Sequence, residues 1–260
     1  MRAAIIIPAR LESTRLPNKL LLAETWTPLI CHTAETAAAI MTAAPDVFSK
    51  IIVAADHPGI LAAVEKHARE RNLKIEAALT RTDHQSGSDR IAEAAEKLPP
   101  DIDAILNIQG DEPDLPPENA LALAAFQGQR AADIATLVYP IHSPEDRNNP
   151  ALVKAALGRD GRALYFSRAD IPFRRADGPW APPSYGHVGI YLYTREALRR
   201  FVALPQGVLE RTEKLEQLRA LENGMSIYAH ILAAQPPKGI DTRGDYEDFV
   251  RRRLGGGASR

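Results

Sequence analysis

Three cations stand at short intervals near the N-terminus, Arg10, Arg15 and Lys19, with the small residues Ala9, Ser13 and Thr14 among them. Arginine grips phosphate oxygens in bidentate fashion, lysine supplies a point charge, and small residues let a ligand reach backbone N–H groups. Such a loop offers polyphosphate binding; the bland alternative is a solvated loop whose cations do nothing. No Gly-Lys-Ser/Thr ending follows, so this is not a Walker loop, and no Gly-x-Gly-x-x-Gly marks a dinucleotide site. Asp111 comes after Gln109-Gly110 at the tip of an apolar run, where a carboxylate could meet Mg²⁺, a cation that prefers hard oxygens and keeps several waters. Gly-Asp is equally good turn chemistry. Asp241 is a second carboxylate at the end of a segment. Arg168 leaves an apolar and aromatic run, a setting in which arginine has an anionic partner, either internal (Asp170) or a sugar-acid carboxylate. His187 taken alone reads as a satisfied structural histidine.

These groups need elements to hold them. Ala3 to Ile7, closed by Pro8, reads as a buried strand that empties into the cationic loop. Helical spacing over Pro28 to Ala44, a strand over Lys50 to Ala55, a helix over Ile60 to Arg71 and a strand over Lys74 to Leu79 continue the chain. This alternation predicts an α/β fold with a mostly parallel central sheet and helices on both faces, Rossmann-like in class. Ligands in such sheets bind outside the carboxyl ends of the strands, which puts Arg10 and Asp56 on that rim. The polar stretch Thr80 to Arg90 precedes a helix over Ile91 to Leu98. It is either a loop capped by Ser86 or Ser88, or a loop that reads a base. Asp103 to Ile108 is a further buried strand, ahead of Asp111. Cys31 and His32 read as packing residues.

The second half is predicted to hold a helix over Pro116 to Gln129, a strand over Ala135 to Ile141 and a polar loop over Ser143 to Pro150. A hairpin of Val153 to Leu157 with Ala163 to Phe166 follows. Next come a lid-like excursion over Phe173 to Ser184, a strand over Tyr185 to Tyr193, and helices over Arg195 to Leu204 and Leu209 to Arg219. In the latter, the charges should form a solvated face. Ser226 to Leu232 reads as an edge strand and Asp245 to Arg253 as a helix. This half is a smaller mixed α+β subregion. The expected organisation is one domain over 1–254, with halves at 1–130 and 131–254, and a disordered tail over 255–260.

The bulk properties narrow the function. The chain has 260 residues, and Lys+Arg 32 against Asp+Glu 33 leaves a net charge of -1, so nothing global argues for nucleic acid or an anionic membrane. Cys31 is the one cysteine, so no intrachain disulfide forms, which fits a reducing compartment. No signal-peptide order and no spanning apolar run appear, so the sequence reads as cytoplasmic and soluble.

The stretch Ile6-Ile7-Pro8-Ala9-Arg10-Leu11-Glu12-Ser13-Thr14-Arg15-Leu16-Pro17-Asn18-Lys19 resembles the nucleotide-binding loop of the 3-deoxy-manno-octulosonate (Kdo) cytidylyltransferases, a family of sugar nucleotidyltransferases. Arg81-Thr82-Asp83-His84-Gln85-Ser86-Gly87 is similar to that family's cytosine-binding loop, continuing Ser-Asp-Arg where the family more often has Thr-Glu-Arg. Phe166-Ser167-Arg168-Ala169-Asp170-Ile171-Pro172, His187-Val188-Gly189-Ile190-Tyr191 and Ile240-Asp241-Thr242 also match, in family order over nearly the whole chain. Besides Ser-Asp-Arg, the sequence departs at Glu24-Thr25-Trp26-Thr27-Pro28, which replaces a Gly-Lys-Pro turn, at Val188, where the family commonly has leucine, and at Arg243, which replaces a proline.

The resemblance implies that CTP and Kdo react to give CMP-Kdo and pyrophosphate, for lipopolysaccharide biosynthesis. It implies a nucleotide site of Pro8, Ala9, Arg10, Arg15, Lys19, Arg81, Gln85, Ser86 and Gly87. Gln109, Arg168, His187, Tyr191, Glu213, Glu216 and Gln217 would face the sugar. Asp111 and Asp241 would hold Mg²⁺, and Arg10, Lys19, Asp111 and Asp241 would carry catalysis. A homodimer is implied too. The competing readings are a cytidylyltransferase for a neighbouring acid such as 8-amino-Kdo, and a non-catalytic CTP sensor. A metal-dependent glycosyltransferase fits poorly, because Asp101-Ile102-Asp103 precedes its strand.

Overall fold

β1 (Ala3–Ala9) is buried along its whole length, as a strand covered on both faces must be. The computed structural model describes residues 1–130, 132–175 and 183–255. They fall into two compact units, one formed by Met1–Glu118 with Pro236–Arg260, the other by Asn119–Gln235. The tail over 256–260 and the centre of the 173–184 excursion, 176–182, lie outside the described residues.

In the first unit β1 is followed by α1 (Leu29–Ala43), β2 (Phe48–Ala55), α2 (Pro58–Arg71), β3 (Glu76–Leu79), α3 (Gly87–Glu96) and β4 (Ala104–Asn107). The strands run in the order β3-β2-β1-β4, all parallel. The chain steps outward from β1 to β3 and then returns to the other side of β1 to lay down β4. Right-handed crossovers therefore put α1 and α2 on one face and α3 on the other. The order reverses between β1 and β4, so the crevice at their carboxyl ends is the place for a ligand. Pro8-Ala9-Arg10 and Gln109-Gly110-Asp111 emerge there.

α3 begins four residues earlier than its hydrophobic pattern suggests. Ser86 and Asp89 form a reciprocal capping box, with the Ser86 hydroxyl accepting from Asp89 N and the Asp89 carboxylate accepting from Ser86 N. Gly87-Ser88-Asp89-Arg90, predicted as loop, is thus the first turn of a helix. α2 likewise starts at Pro58, a residue suited to a first helical turn, and ends at Asn72 in the left-handed region, φ 52°.

The second unit contains α4 (Pro117–Gln129), which begins in the first, then β5 (Ile134–Ile141), α5 (Pro144–Asn148), β6 (Lys154–Leu157), β7 (Ala163–Ser167) and β8 (Ser184–Thr194). α6 (Arg195–Ala203), α7 (Val208–Glu213), α8 (Gln217–Glu222) and β9 (Ile227–Ile231) complete it. β5 is antiparallel to β8 and parallel to β9, and the β6–β7 hairpin joins β8 through β6. The polar loop expected over Ser143 to Pro150 contains α5, capped by the Ser143 hydroxyl.

The single helix expected over Leu209 to Arg219 is two. Lys214 takes φ 54°, which ends α7, and α8 starts afresh at Gln217. The break brings Glu210 and Arg219 together as a buried bidentate pair, Arg219 Nε to Glu210 Oε2 at 2.8 Å and Nη2 to Oε1 at 2.6 Å. These charges are therefore internal, not the solvated face predicted. The chain then re-enters the first unit as α9 (Arg243–Leu254), whose Tyr246 and Phe249 are fully buried, with the His32 ring edge-on to Phe249 at 5.2 Å.

Candidate active site

The carboxyl ends of β1 and β4 border a cleft of about 370 Å³ lined by Pro8, Ala9, Arg10, Lys19, Gln85 and Gly110, among others. Its floor depends on one close approach, at Gly110, and on ordinary packing at Gly87. A Cβ at Gly110 would lie 3.0 Å from the Pro8 carbonyl oxygen and 3.3 Å from the Leu20 and Ile30 methyls, and Thr33 Oγ1 donates to the Gly110 carbonyl at 2.8 Å. Gly87 sits against the Pro8 ring, where a Cβ would stand 3.6 Å from Cγ.

The 10–19 loop is shaped by a group that motif reading passed over. Arg90 is 1% exposed; it donates to Thr80 Oγ1 at 2.6 Å and to Asp56 Oδ2 at 3.0 Å. The other Asp56 oxygen accepts from Leu11 N at 3.0 Å. One ion pair thereby ties the loop's first turn, the end of β2 and α3 together. The signal was present in the placement of Asp56 on the rim, but its partner read as the last residue of the polar stretch Thr80 to Arg90. Gln85, Ser86 and Gly87 line the cleft, while the Ser86 hydroxyl serves the α3 cap. Arg81 lies outside the lining and forms a fork with Asp83 at 2.9 and 2.7 Å.

The cations and carboxylates converge. Asn18 turns the chain with φ 52° and carries Lys19, only 7% exposed, inward. Lys19 Nζ is 2.5 Å from Asp111 Oδ2 and 3.3 Å from Asp241 Oδ1, and Arg15 Nη2 is 3.0 Å from the same Asp241 oxygen. Four residues from three distant stretches thus meet at one point. Asp241 is fixed from behind: Asp245 accepts from Asp241 N and Thr242 N as it caps α9, and Ile240 N donates to the Asp111 carbonyl. Glu112, which sequence reading left out, stands beside this pair as a carboxyl that stays mainly protonated at neutral pH. Burial, then Asp111 and Asp241, push its pKa up to about 8. Among the described residues no three His, Cys, Asp or Glu side chains converge on a metal site. A carboxylate pair that already holds one cation is the donor set Mg²⁺ needs when substrate phosphates and water complete its shell.

Two of the departures from the family pattern, the 24–28 turn and Arg243, meet each other. Arg243 pairs with Glu24 at 2.9 Å and with Glu247 at 2.9 Å, and Tyr246 Oη accepts from Glu24 N. In place of a rigid proline, an exposed ion pair links the 22–28 turn to the start of α9, a contact of modest energy.

In the second unit, Arg168 makes no pair with Asp170. Its Nε donates to the Glu213 carbonyl at 2.9 Å, Nη1 to the Pro150 carbonyl at 3.0 Å and Nη2 to the Lys214 carbonyl at 3.4 Å. The Glu213 carboxylate accepts from Ser167 Oγ at 2.6 Å and Arg168 N at 3.0 Å. Arg168 is therefore oriented by backbone, with two of its five N–H donors left over among the described residues. His187 lies beside a bulge at which β5 and β8 shift register after Thr136. Thr136 Oγ1 donates to the Ile190 carbonyl at 2.8 Å, so His187 Nε2, 3.0 Å from that hydroxyl, is the donor to it and Nδ1 carries the lone pair. Burial pulls the His187 pKa down to about 3. Its ring packs against Phe166 at 4.9 Å and Tyr191 at 5.4 Å. Gln217 is buried in α8, and Glu216 is 3.7 Å from Arg219. Gln109 donates to Asn107 Oδ1 at 3.3 Å in the first unit. Cys31 is buried with its pKa pushed up to about 12, and His32 is held by Thr25 Oγ1, so both pack as expected.

A family model described as cytidylyltransferase matches residues 4–227, and the chain belongs to that family, as a nucleotidyltransferase. The likeness extends to particular relatives. A protein of Paramagnetospirillum magneticum named 3-deoxy-manno-octulosonate cytidylyltransferase is 44% identical over 250 residues, covering 94% of this chain and 94% of its own. One of the same name from Rhodopseudomonas palustris strain TIE-1 is 45% identical over 97% of both. A solved structure of CMP:2-keto-3-deoxy-manno-octonic acid synthetase complexed with CTP superposes with TM-score 0.85 at 33% identity, covering 98% of this chain and all of that one. No helix among the described residues is long and apolar enough to cross a membrane.

Proposed function

We propose that the protein activates Kdo with CTP, giving CMP-Kdo and pyrophosphate for lipopolysaccharide assembly. The observation that carries this reading is the meeting of Arg15, Lys19, Asp111 and Asp241 beside a cleft at the β1/β4 switch point. Arg10, Arg15 and Lys19 neutralise the triphosphate and the leaving pyrophosphate. Pro8, Ala9, Gln85, Ser86 and Gly87 hold the nucleoside, Ser86 through its backbone, while Arg81 stays forked to Asp83 outside the cleft. Asp111 and Asp241 would hold Mg²⁺, which when bound supplies charge neutralisation at phosphate and acidifies an attacking hydroxyl. Arg168 offers its remaining N–H donors to the acid's carboxylate, and His187 Nδ1, Tyr191, Glu213, Glu216 and Gln217 meet sugar hydroxyls. The resemblance also implies a homodimer, read as twice the chain mass by light scattering, and the lone buried Cys31 suits a cytoplasmic enzyme.

The test is pyrophosphate release across CTP, UTP and ATP, and across Kdo, 8-amino-Kdo and sialic acid. Release with CTP and Kdo alone is expected. Release with CTP and another acid overturns the sugar half, and CTP binding without release under any pairing leaves the sensor reading.

A further inference from the structure

Lys154 is 0% exposed, in the middle of the apolar run Leu152-Val153-Lys154-Ala155-Ala156-Leu157. An ammonium so placed must be fully hydrogen-bonded or it would not stay. Its Nζ donates to the carbonyls of Asn149 at 2.9 Å, Leu152 at 2.6 Å and Arg168 at 2.5 Å, so three N–H donors meet three acceptors. Burial lowers its pKa from the ordinary lysine value, and the nearby Asp170 carboxylate works the other way.

The placement is specific. On one side Lys154 is in register with Ser167 of β7, the residue before Arg168; on the other with Gly186 of β8, the residue before His187. Val153 O accepts from His187 N at 2.8 Å. Asn149 and Leu152 flank Pro150, whose carbonyl accepts from Arg168 Nη1. Lys154 therefore holds Arg168 at both ends: directly, through its backbone carbonyl, and indirectly, through the turn that orients its guanidinium.

We infer that Lys154 is a positioning residue for the sugar acid, an internal cation that folds the 149–152 turn and the Arg168 backbone into a socket for the guanidinium. The inference rests on the reading that Arg168 grips the acid. Lys154 itself touches no substrate, and no proton leaves it. A methionine there keeps the stem and removes the donors, so the three carbonyls lose the ammonium, only the Leu152 N–H still reaches the Asn149 carbonyl, and the turn relaxes. Arg168 then samples several orientations, which weakens acid binding and leaves the nucleotide cleft untouched, since every residue lining that cleft belongs to the first unit.

The experiment compares Lys154→Met, Arg168→Ala and the double variant in the CTP-plus-Kdo pyrophosphate assay, with folding checked by circular dichroism. Lys154→Met should raise the KM for Kdo at least tenfold and leave the KM for CTP within twofold. The double variant should be no worse than Arg168→Ala, because Lys154 acts through Arg168. A folded Lys154→Met with unchanged Kdo KM, or with both KM values raised alike, overturns the inference while Arg168→Ala still reports on the site. If Arg168→Ala leaves the Kdo KM unchanged, the reading of the sugar site has failed and the inference goes with it. Should Lys154→Met not fold, Lys154→Gln, which keeps two N–H donors, is read by the same criteria.

Discussion

Asp111→Asn removes one charge from the two carboxylates that share the Lys19 ammonium and leaves the side chain's volume unchanged. In the wild-type protein Asp111 and Asp241 face Lys19 and Arg15, so the local charge sums to zero, with Glu112 mainly protonated at neutral pH. With asparagine the sum turns positive, and a divalent cation at the α-phosphate meets repulsion where it had a ligand. A unit charge pair about 4 Å apart in an effective dielectric near 20 interacts by about 4 kcal/mol. If that interaction is realised in the transition state, kcat falls on the order of 10³-fold, at about 1.4 kcal/mol for each decade. Asparagine still accepts a hydrogen bond from Lys19, so thermal unfolding should change little. The assay is pyrophosphate release at saturating CTP and Kdo across a Mg²⁺ titration. Mn²⁺ binding in the presence of CTP, followed by electron paramagnetic resonance, gives a second readout independent of turnover. Turnover within tenfold of wild type, or undiminished Mn²⁺ binding, would refute the assignment of Asp111 as a ligand.

Gly110→Ala places a methyl 3.0 Å from the Pro8 carbonyl; it should cost about 1–3 kcal/mol in urea unfolding and raise the KM for CTP, and an unchanged KM would mean the cleft floor yields freely. Glu210→Leu leaves the buried Arg219 short of its main partner and should destabilise by about 3–5 kcal/mol, with partial recovery in the Glu210→Leu, Arg219→Met double variant; a loss under about 1 kcal/mol would show that the pair is dispensable. His187 is a half-buried neutral base with its pKa pulled down to about 3 against 6.5 in the unfolded chain, so its stabilisation is full above pH 6.5 and is lost as pH falls toward 3. Wild type should therefore lose up to about 1.4 kcal/mol per pH unit more than His187→Asn below pH 6.5, less as solvent reaches the ring, and parallel stability curves for the two would contradict the neutral setting.

The sequence by itself determined most of the first unit. The Ala3 to Ile7 run, the Lys50 to Ala55 run and the helices after them have periods that only a parallel sheet with covering helices satisfies, and the loop at the end of β1 carries its own chemistry in Arg10, Arg15 and Lys19. Asp111 and Asp241 were legible as carboxylates at segment ends, because Gly-Asp and Asp-Thr punctuate backbone whatever surrounds them. What only the tertiary structure decided is which charges meet. Glu210 and Arg219 looked like helix-surface charges until a left-handed Lys214 broke the helix and folded them inward. Arg90 looked like the end of a polar motif and is a buried partner of Asp56, across a crossover from β2 to α3. Lys154 interrupts an apolar strand for a reason its own strand does not hold, since its three acceptors lie on the turn before it and on Arg168, just past the end of β7. Periodicity reports the face a residue occupies relative to its own element. A buried charge is stabilised by groups on other elements, and their approach is fixed only when the chain has folded.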